Sequence, residues 1–281
     1  MKIAVMTDST AYIPASIREA KDIHMVPLSV VFGEETFQEE IDLTTEAFYK
    51  KVKQSEQLPK TTQPAIGLIV EKLEQLAQDF DAVISIHLSS GISGTYQTVT
   101  SAGDMVEGIN VYPYDSEISA MAQGFYVLEA SRLAQAGNHT PEQIIARLDE
   151  MKQSMRAYFL VDDLSNLHRG GRLNGAQALI GSVLQVKPLL HFVDKQIVPF
   201  EKIRTKKKAL KRMYDLFEED AKTGKPIKAC VIHANSPEEA EEMKVELEQT
   251  YDHIDVSISY FGPVIGTHLG EGALGLAWYL E

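Results

Sequence analysis

Two short apolar runs separated by a helix-period segment constrain this chain most. Lys2–Met6 (KIAVM) and Ala82–Leu88 (AVISIHL) are nearly continuous in apolar character, as strands covered on both faces must be. Between them Ile66, Ile69, Val70, Leu73, Leu76 and Ala77 recur at helical spacing, and Pro64 suits the first turn of that helix. Further strands are expected at His24–Val31 and Asn110–Tyr114. A helix is expected to follow the capping pair Asp115-Ser116 and run to about Ala136, where Gly137-Asn138 ends it. Strands alternating with helices in this way predict βαβ units around a mainly parallel sheet.

The second half reads differently. Tyr158–Val161, Pro188–Val193, Ile197–Ile203, Ala229–His233 and Val256–Phe261 have strand character, and Asp194-Lys195 marks a hairpin turn, so a mixed or antiparallel sheet is expected. Ser236, with Glu239 three residues on and Pro237 between, predicts a capping box for a helix over Pro237–Gln249. The expected fold class is α/β in two domains. Residues 1–153 form an N-terminal domain with a mainly parallel sheet flanked by helices, and 154–281 form a smaller α/β domain.

A length of 281 residues suits two hydrophobic cores better than one. The opening MKIAVMTDST meets Asp8 too soon for the apolar stretch of a signal peptide, and no apolar run is long enough to span a bilayer. With Cys230 the only cysteine, the chain has no internal disulfide or cysteine metal cage, and the Asp and His positions show no regular metal spacing. A cytoplasmic protein with no metal and no cofactor is expected. A formal charge of −13 argues against nucleic acid. That total is unevenly spread. Residues 1–153 carry 11 Lys/Arg against 22 Asp/Glu, whereas 169–228 carry 14 against 6. This basic stretch reads either as a solvated helix face or as a docking zone for an acidic or phosphate-bearing partner.

Ser89–Gln97 (SSGISGTYQ) carries the most chemistry. It follows a buried-type strand and opens a helix, so hydroxyls and backbone N–H groups converge where an anion is favoured. It lacks the lysine of a Walker loop and the Gly-x-Gly-x-x-Gly fingerprint, and a singly charged carboxylate suits its donors better than a phosphate. A nucleophilic Ser93, with His268 and Asp115 as nominal partners, is the competing hydrolase or acyltransferase reading, but Gly91-Ile92-Ser93-Gly94 departs from the Gly-x-Ser-x-Gly elbow. Three further stretches have site-like composition: Lys60–Pro64, read first as an N-cap; the glycine-dense Gly262–Gly272, with His268 on an expected loop; and Asp162–Arg172, with Arg169 and Arg172 around a glycine pair.

Taken in order, Thr7-Asp8-Ser9, Thr61-Thr62-Gln63-Pro64, Ser89–Gln97, Tyr114-Asp115-Ser116, Leu167–Arg172 and Gly266-Thr267-His268-Leu269-Gly270 resemble the DegV family over essentially the whole chain. The resemblance implies a fatty-acid-binding protein that holds an acyl chain in a buried apolar pocket and presents the carboxylate to a fatty acid kinase. The kinase would make an acyl phosphate with ATP, and this chain would contribute no catalytic nucleophile. The resemblance implies Thr61, Thr62, Ser93, the Gly94 amide and His268 as carboxylate ligands, with Arg169, Arg172 and Arg204 facing the kinase. A lipid sensor reporting to a regulator is the alternative that shares the same binding site. Two positions depart from the family pattern: Ala65 stands where serine is usual and Glu271 where proline is usual. Glu271 is expected either to orient and charge His268 or to repel the ligand.

Overall fold

In a computed structural model, described for residues 1–55, 57–174 and 187–281, the first half runs β1 (Ile3–Asp8), a 3-10 turn (Ser9–Ala11), α1 (Ala15–Ala20), β2 (Ile23–Val26), β3 (Ser29–Phe32), β4 (Glu35–Gln38), α2 (Thr45–Gln54), β5 (Lys60–Thr62), α3 (Ile66–Leu76), β6 (Ala82–His87), α4 (Thr95–Gly103), β7 (Asn110–Asp115), α5 (Met121–Ala136) and α6 (Pro141–Ser154). Strands β2-β1-β6-β7 form a parallel sheet in that order. Alternation along the strands sorts its two faces. Ala4, Met6 and Val83 pack with Ile69 and Leu73 of α3 and Val99 of α4. Val5, Ile84 and Ile86 turn the other way, into a core shared with Phe125 and Val127 of α5 and Leu148 of α6.

The second half comprises β8 (Arg156–Leu160), α7 (Ser165–Arg169), β9 (Leu189–Val193), β10 (Gln196–Glu201), α8 (Lys206–Ala221), β11 (Ile227–His233), α9 (Pro237–Thr250), β12 (Ile254–Tyr260), α10 (Pro263–Leu269) and β13 (Leu274–Leu280). Its six strands lie in the order β10-β9-β8-β13-β11-β12, with β11 and β12 parallel and the other pairs antiparallel. The expected mixed α/β class is therefore the observed one. One face of this sheet packs Val231, Leu276 and Trp278 against Met213 and Phe217 of α8 and Met243 of α9. The opposite face, through Phe159, Ile232 and Ala277, joins the core that reaches α5 of the first half. Asp194 and Lys195 both have positive φ (47° and 71°), the backbone a tight two-residue hairpin between β9 and β10 requires.

Several local expectations are corrected. The run His24–Val31 is two strands, because Pro27 lacks the N–H to continue a ladder; β3 leaves for a separate sheet of order β4-β3-β5. Thr61 and Thr62 lie in β5 and do not cap α3, whose N-cap Ala65 makes no side-chain bond. Helix α5 starts at Met121, well beyond Ser116, whose hydroxyl donates instead to the Ile118 carbonyl. The capping box at α9 does not form: Ser236 makes no side-chain cap, and Glu239 pairs with Lys206 across to α8 at 2.8 Å. His268 sits on α10, a helix, where a loop was expected. Strand β13, which no sequence signal had singled out, lies between β8 and β11. Among the described residues no helix is long and apolar enough to cross a membrane.

Candidate functional site

Between the parallel sheet's loops and the inner face of the six-stranded sheet lies a cavity of about 270 Å³. Its floor is backbone and small side chains of β13 (Gly275, Leu276, Ala277) beside Phe159 of β8 and Ile232 of β11. Its apolar walls include Leu28, Leu88, Ala120, Phe261 and Ile265. At one part of the lining the chemistry changes: Thr61, Thr62, Gln63, Ser93, Gly94 and His268 bring hydroxyls, amides and an imidazole to the same space. All five residues nominated as carboxylate ligands are thus lining residues of one cavity.

Separate elements deliver these groups. Edge strand β5 pairs with β3 through Thr61↔Val30 and Thr62↔Ser29, which holds both threonines at the cavity. Ser93 and Gly94 immediately precede α4. The Ser93 hydroxyl lies 2.9 Å from the Thr95 hydroxyl and accepts from the Thr95 N–H at 3.3 Å, while the Gly94 N–H has no acceptor among the described residues. The loop is fixed from below by the hairpin tip. Ser89 Oγ donates to the Lys195 carbonyl at 2.6 Å, and Lys195 Nζ reaches Asp115 Oδ2 at 3.0 Å. Contact is so close at Gly91 that a Cβ there would lie 2.2 Å from the Lys195 carbonyl oxygen.

His268 reaches the site from α10. Its Nε2 is 2.9 Å from Thr61 Oγ1, and its Nδ1 edge lies against Gly170, where a Cβ would come within 2.4 Å. Burial, with a further push from the Arg172 guanidinium, lowers the His268 pKa to about 4, so the imidazole is neutral near pH 7. Glu271 does not touch it. That carboxylate bonds Asn235 at 2.6 Å and Lys53 at 2.8 Å; partial burial raises its pKa, but these partners outweigh burial and hold it low. Neither role expected for Glu271 is realised.

Helix α10 is itself anchored by a buried carboxylate. Glu39 accepts from the Val264 N–H at 2.7 Å, from Tyr12 Oη at 2.9 Å and from Ser9 Oγ at 2.5 Å. Tyr12 Oη in turn accepts from the Ile265 N–H at 3.1 Å, and Tyr49 Oη donates to the Phe261 carbonyl at 2.8 Å. No sequence pattern pointed to Glu39, since it follows a short strand in an acidic, solvent-like stretch.

The three arginines expected to face a partner divide. Arg169 and Arg204 are exposed. Arg172 lines the cavity, donating from Nε to the Ile92 carbonyl at 3.2 Å and from a terminal nitrogen to the Gly170 carbonyl at 2.5 Å. Burial lowers its pKa, and among the described residues it has no carboxylate partner. It is also the one charged side chain in the described lining, which contains no Asp or Glu. Of the cluster Lys206, Lys207, Lys208, Lys211 and Arg212 in the basic stretch, Lys206, Lys211 and Arg212 pair with Glu239, Asp215 and Glu201, leaving Lys207 and Lys208 without an ion pair among the described residues.

No triad forms around Ser93. His268 Nε2 is engaged with Thr61, and Asp115 with Ser90 and Lys195. A Ser–His–Asp line does exist elsewhere, from Ser85 Oγ to His87 Nε2 at 2.6 Å and from His87 Nδ1 to Asp8 Oδ2 at 3.0 Å. All three side chains are fully buried and outside the cavity lining. Asp8 also accepts from the Leu88 and Thr10 N–H groups, so this network ties the ends of β1 and β6 together beneath the site.

Comparison with known proteins agrees with this architecture. A family model described as an uncharacterised protein of the DegV family matches residues 2–281. Protein DegV of Bacillus subtilis is 59% identical over 278 residues, covering 99% of each chain. The crystal structure of DegV, a fatty acid binding protein from Bacillus subtilis, superposes with a TM-score of 0.96 at 59% identity over 100% of both chains. A DegV family protein from Thermus thermophilus, described for its fatty acid binding, gives 0.92 at 26% identity, also over 100% of both chains. The chain belongs to the DegV family.

Proposed function

We propose that this protein binds a long-chain fatty acid in the cavity and presents its carboxylate to a separate fatty acid kinase, which converts it to an acyl phosphate with ATP. The observation that carries the reading is an apolar cavity whose described lining brings together hydroxyl, amide and imidazole donors with one cation and no acid. An acyl chain gains roughly 0.8 kcal/mol for each CH₂ removed from water, so the apolar walls supply affinity and the donors need only orient the head group. Thr61, Thr62, Ser93, the Gly94 N–H and His268 are the proposed carboxylate ligands, and Arg172 supplies the positive field beside them. A neutral His268 donates one hydrogen bond from a single ring nitrogen. The fatty-acid-binding descriptions of the Bacillus and Thermus relatives support the ligand class.

In this reading the chain supplies no nucleophile. Ser93 has no imidazole as a hydrogen-bond partner, and its hydroxyl is turned to Thr95. The exposed Arg169 and Arg204, with Lys207 and Lys208, are proposed to attract the kinase or its ATP. The first test is native mass spectrometry of the purified protein, with any released ligand identified after denaturation. A fatty acid released intact, and converted to acyl phosphate when a fatty acid kinase and ATP are added, is the expected result. A protein that takes up no fatty acid on incubation overturns the reading.

A further inference from the structure

A second cavity of about 180 Å³ adjoins the first and shares Ala157, Tyr158 and Phe192 with it. The two differ in chemistry. Beyond the shared wall the lining carries Ser116, Glu117, Tyr126, Lys152, Arg156 and His191, with Ile118 and Met155 its apolar members, so charged and polar groups predominate. Lys152 Nζ and Glu117 Oε1 lie 3.3 Å apart there, both partly exposed. The first cavity is apolar on its own side of the wall, with Leu88, Phe159 and Ile232.

Strand register shows how the wall is built. Strands β8 and β9 pair antiparallel with Tyr158 opposite His191 and Phe159 opposite Leu190. One step along that register brings Ala157 opposite Phe192. Alternation puts both side chains on the same face as Phe159, away from Tyr158 and His191, which stack 5.8 Å apart on the other face. The small Ala157 leaves room that the Phe192 ring occupies, packed 6.2 Å from Phe159. Phe192 is the one large side chain of this cross-strand pair, and it lines both cavities.

We propose that Phe192 is the partition that limits acyl chain length, and that the compartment behind it accepts a polar chain terminus and disfavours a methyl end. This rests on the fatty-acid reading of the main cavity. A methyl end pushed past the ring would meet the Lys152–Glu117 pair and lose the apolar contact that held the rest of the chain. A terminal hydroxyl would find donors and acceptors there.

The test offers wild-type protein, Phe192→Leu and Phe192→Ala an equimolar mixture of saturated fatty acids of increasing length, each with its ω-hydroxy counterpart. Bound species are read by native mass spectrometry, with a thermal melt to establish that each variant is folded. Wild-type protein should show a sharp upper length. In Phe192→Ala, ω-hydroxy acids beyond that length should gain at least about tenfold relative to the shorter acids, with methyl-ended acids gaining less and Phe192→Leu falling between. An unchanged length ranking in the folded variants overturns the proposal, as does an equal gain for methyl-ended and hydroxyl-ended acids. Failure of the wild-type protein to bind any acid would instead remove the fatty-acid reading itself, and the partition with it.

Discussion

Replacing Glu39 by glutamine should flatten part of the pH dependence of stability. Glu39 is fully buried, and desolvation raises its pKa from 4.5 to about 7 despite the donors Ser9, Val264 and Tyr12; nearby Glu40 adds to the rise. The other ionisable groups at this site are Tyr12, itself pushed well above 10, Tyr49, and Arg18, which bonds Glu40 at 3.1 Å. An acid whose folded pKa is raised is bound by its proton more tightly in the native state. Its contribution is full below pH 4.5 and is lost as the pH rises to about 7. A displacement from 4.5 to about 7 is worth about 3 kcal/mol. Glutamine offers an amide oxygen to Val264 and Tyr12 and an amide donor to Ser9, and does not titrate. Urea unfolding of both proteins at pH 4.5 and pH 8 isolates the effect, because other titrating groups cancel in the difference. The wild-type protein should lose about 3 kcal/mol relative to Glu39→Gln over that span. Parallel pH profiles for the two proteins would refute the assignment of a proton to this site.

Gly91→Ala should destabilise by about 1–3 kcal/mol in chemical denaturation, because its Cβ meets a backbone carbonyl that cannot step aside. Gly67→Ala, in α3 with nothing within 4 Å, is the control and should raise stability by up to about 1 kcal/mol. The His268 ring should remain neutral in an NMR titration of ligand-free protein down to near pH 5 and shift upward when a fatty acid is added; protonation with an ordinary histidine midpoint would contradict its burial. Ser93→Ala should weaken phosphorylation of a bound acid far more than it weakens retention of the chain, measured as kinase turnover against ligand off-rate; equal losses would count against head-group orientation as its role. Removing charge at Arg204, Lys207 and Lys208 should slow kinase-coupled turnover chiefly at low salt, and turnover unchanged at every ionic strength would exclude docking there.

Periodicity made the parallel sheet legible because β1 and β6 are apolar on both faces and α3 shows a clean 3.6-residue stripe. It overextended at His24–Val31, where apolar character continues through Pro27 while the ladder does not. It overlooked β13 because LGLAWYL, buried from both sides, has no alternation, and the glycines that precede it read as part of a site-like loop rather than as the turn into a strand. Composition, together with a place between a buried-type strand and a helix, marked the Ser89–Gln97 loop, and the structure places Ser93 and Gly94 in the same cavity as Thr61, Thr62 and His268. What composition does not encode is the source of rigidity around them. Glu39, Tyr12 and the Lys195 hairpin tip act across the fold through long-range contacts, and Arg172 looked like a surface residue until the cavity was visible.

Strand β13 is both the floor of the cavity and an interior strand of its sheet. Lowering that floor to release an occupant would break hydrogen-bond ladders with β8 on one side and β11 on the other. Exchange by that route is therefore slaved to opening of the sheet and is correspondingly slow. On the opposite side the space is closed by α10 and the loops before α4 and α5, none of which is a strand of that sheet. Exchange that spares the sheet has to pass those segments, so the residence time of whatever the cavity holds depends on their opening as well as on the grip of its walls.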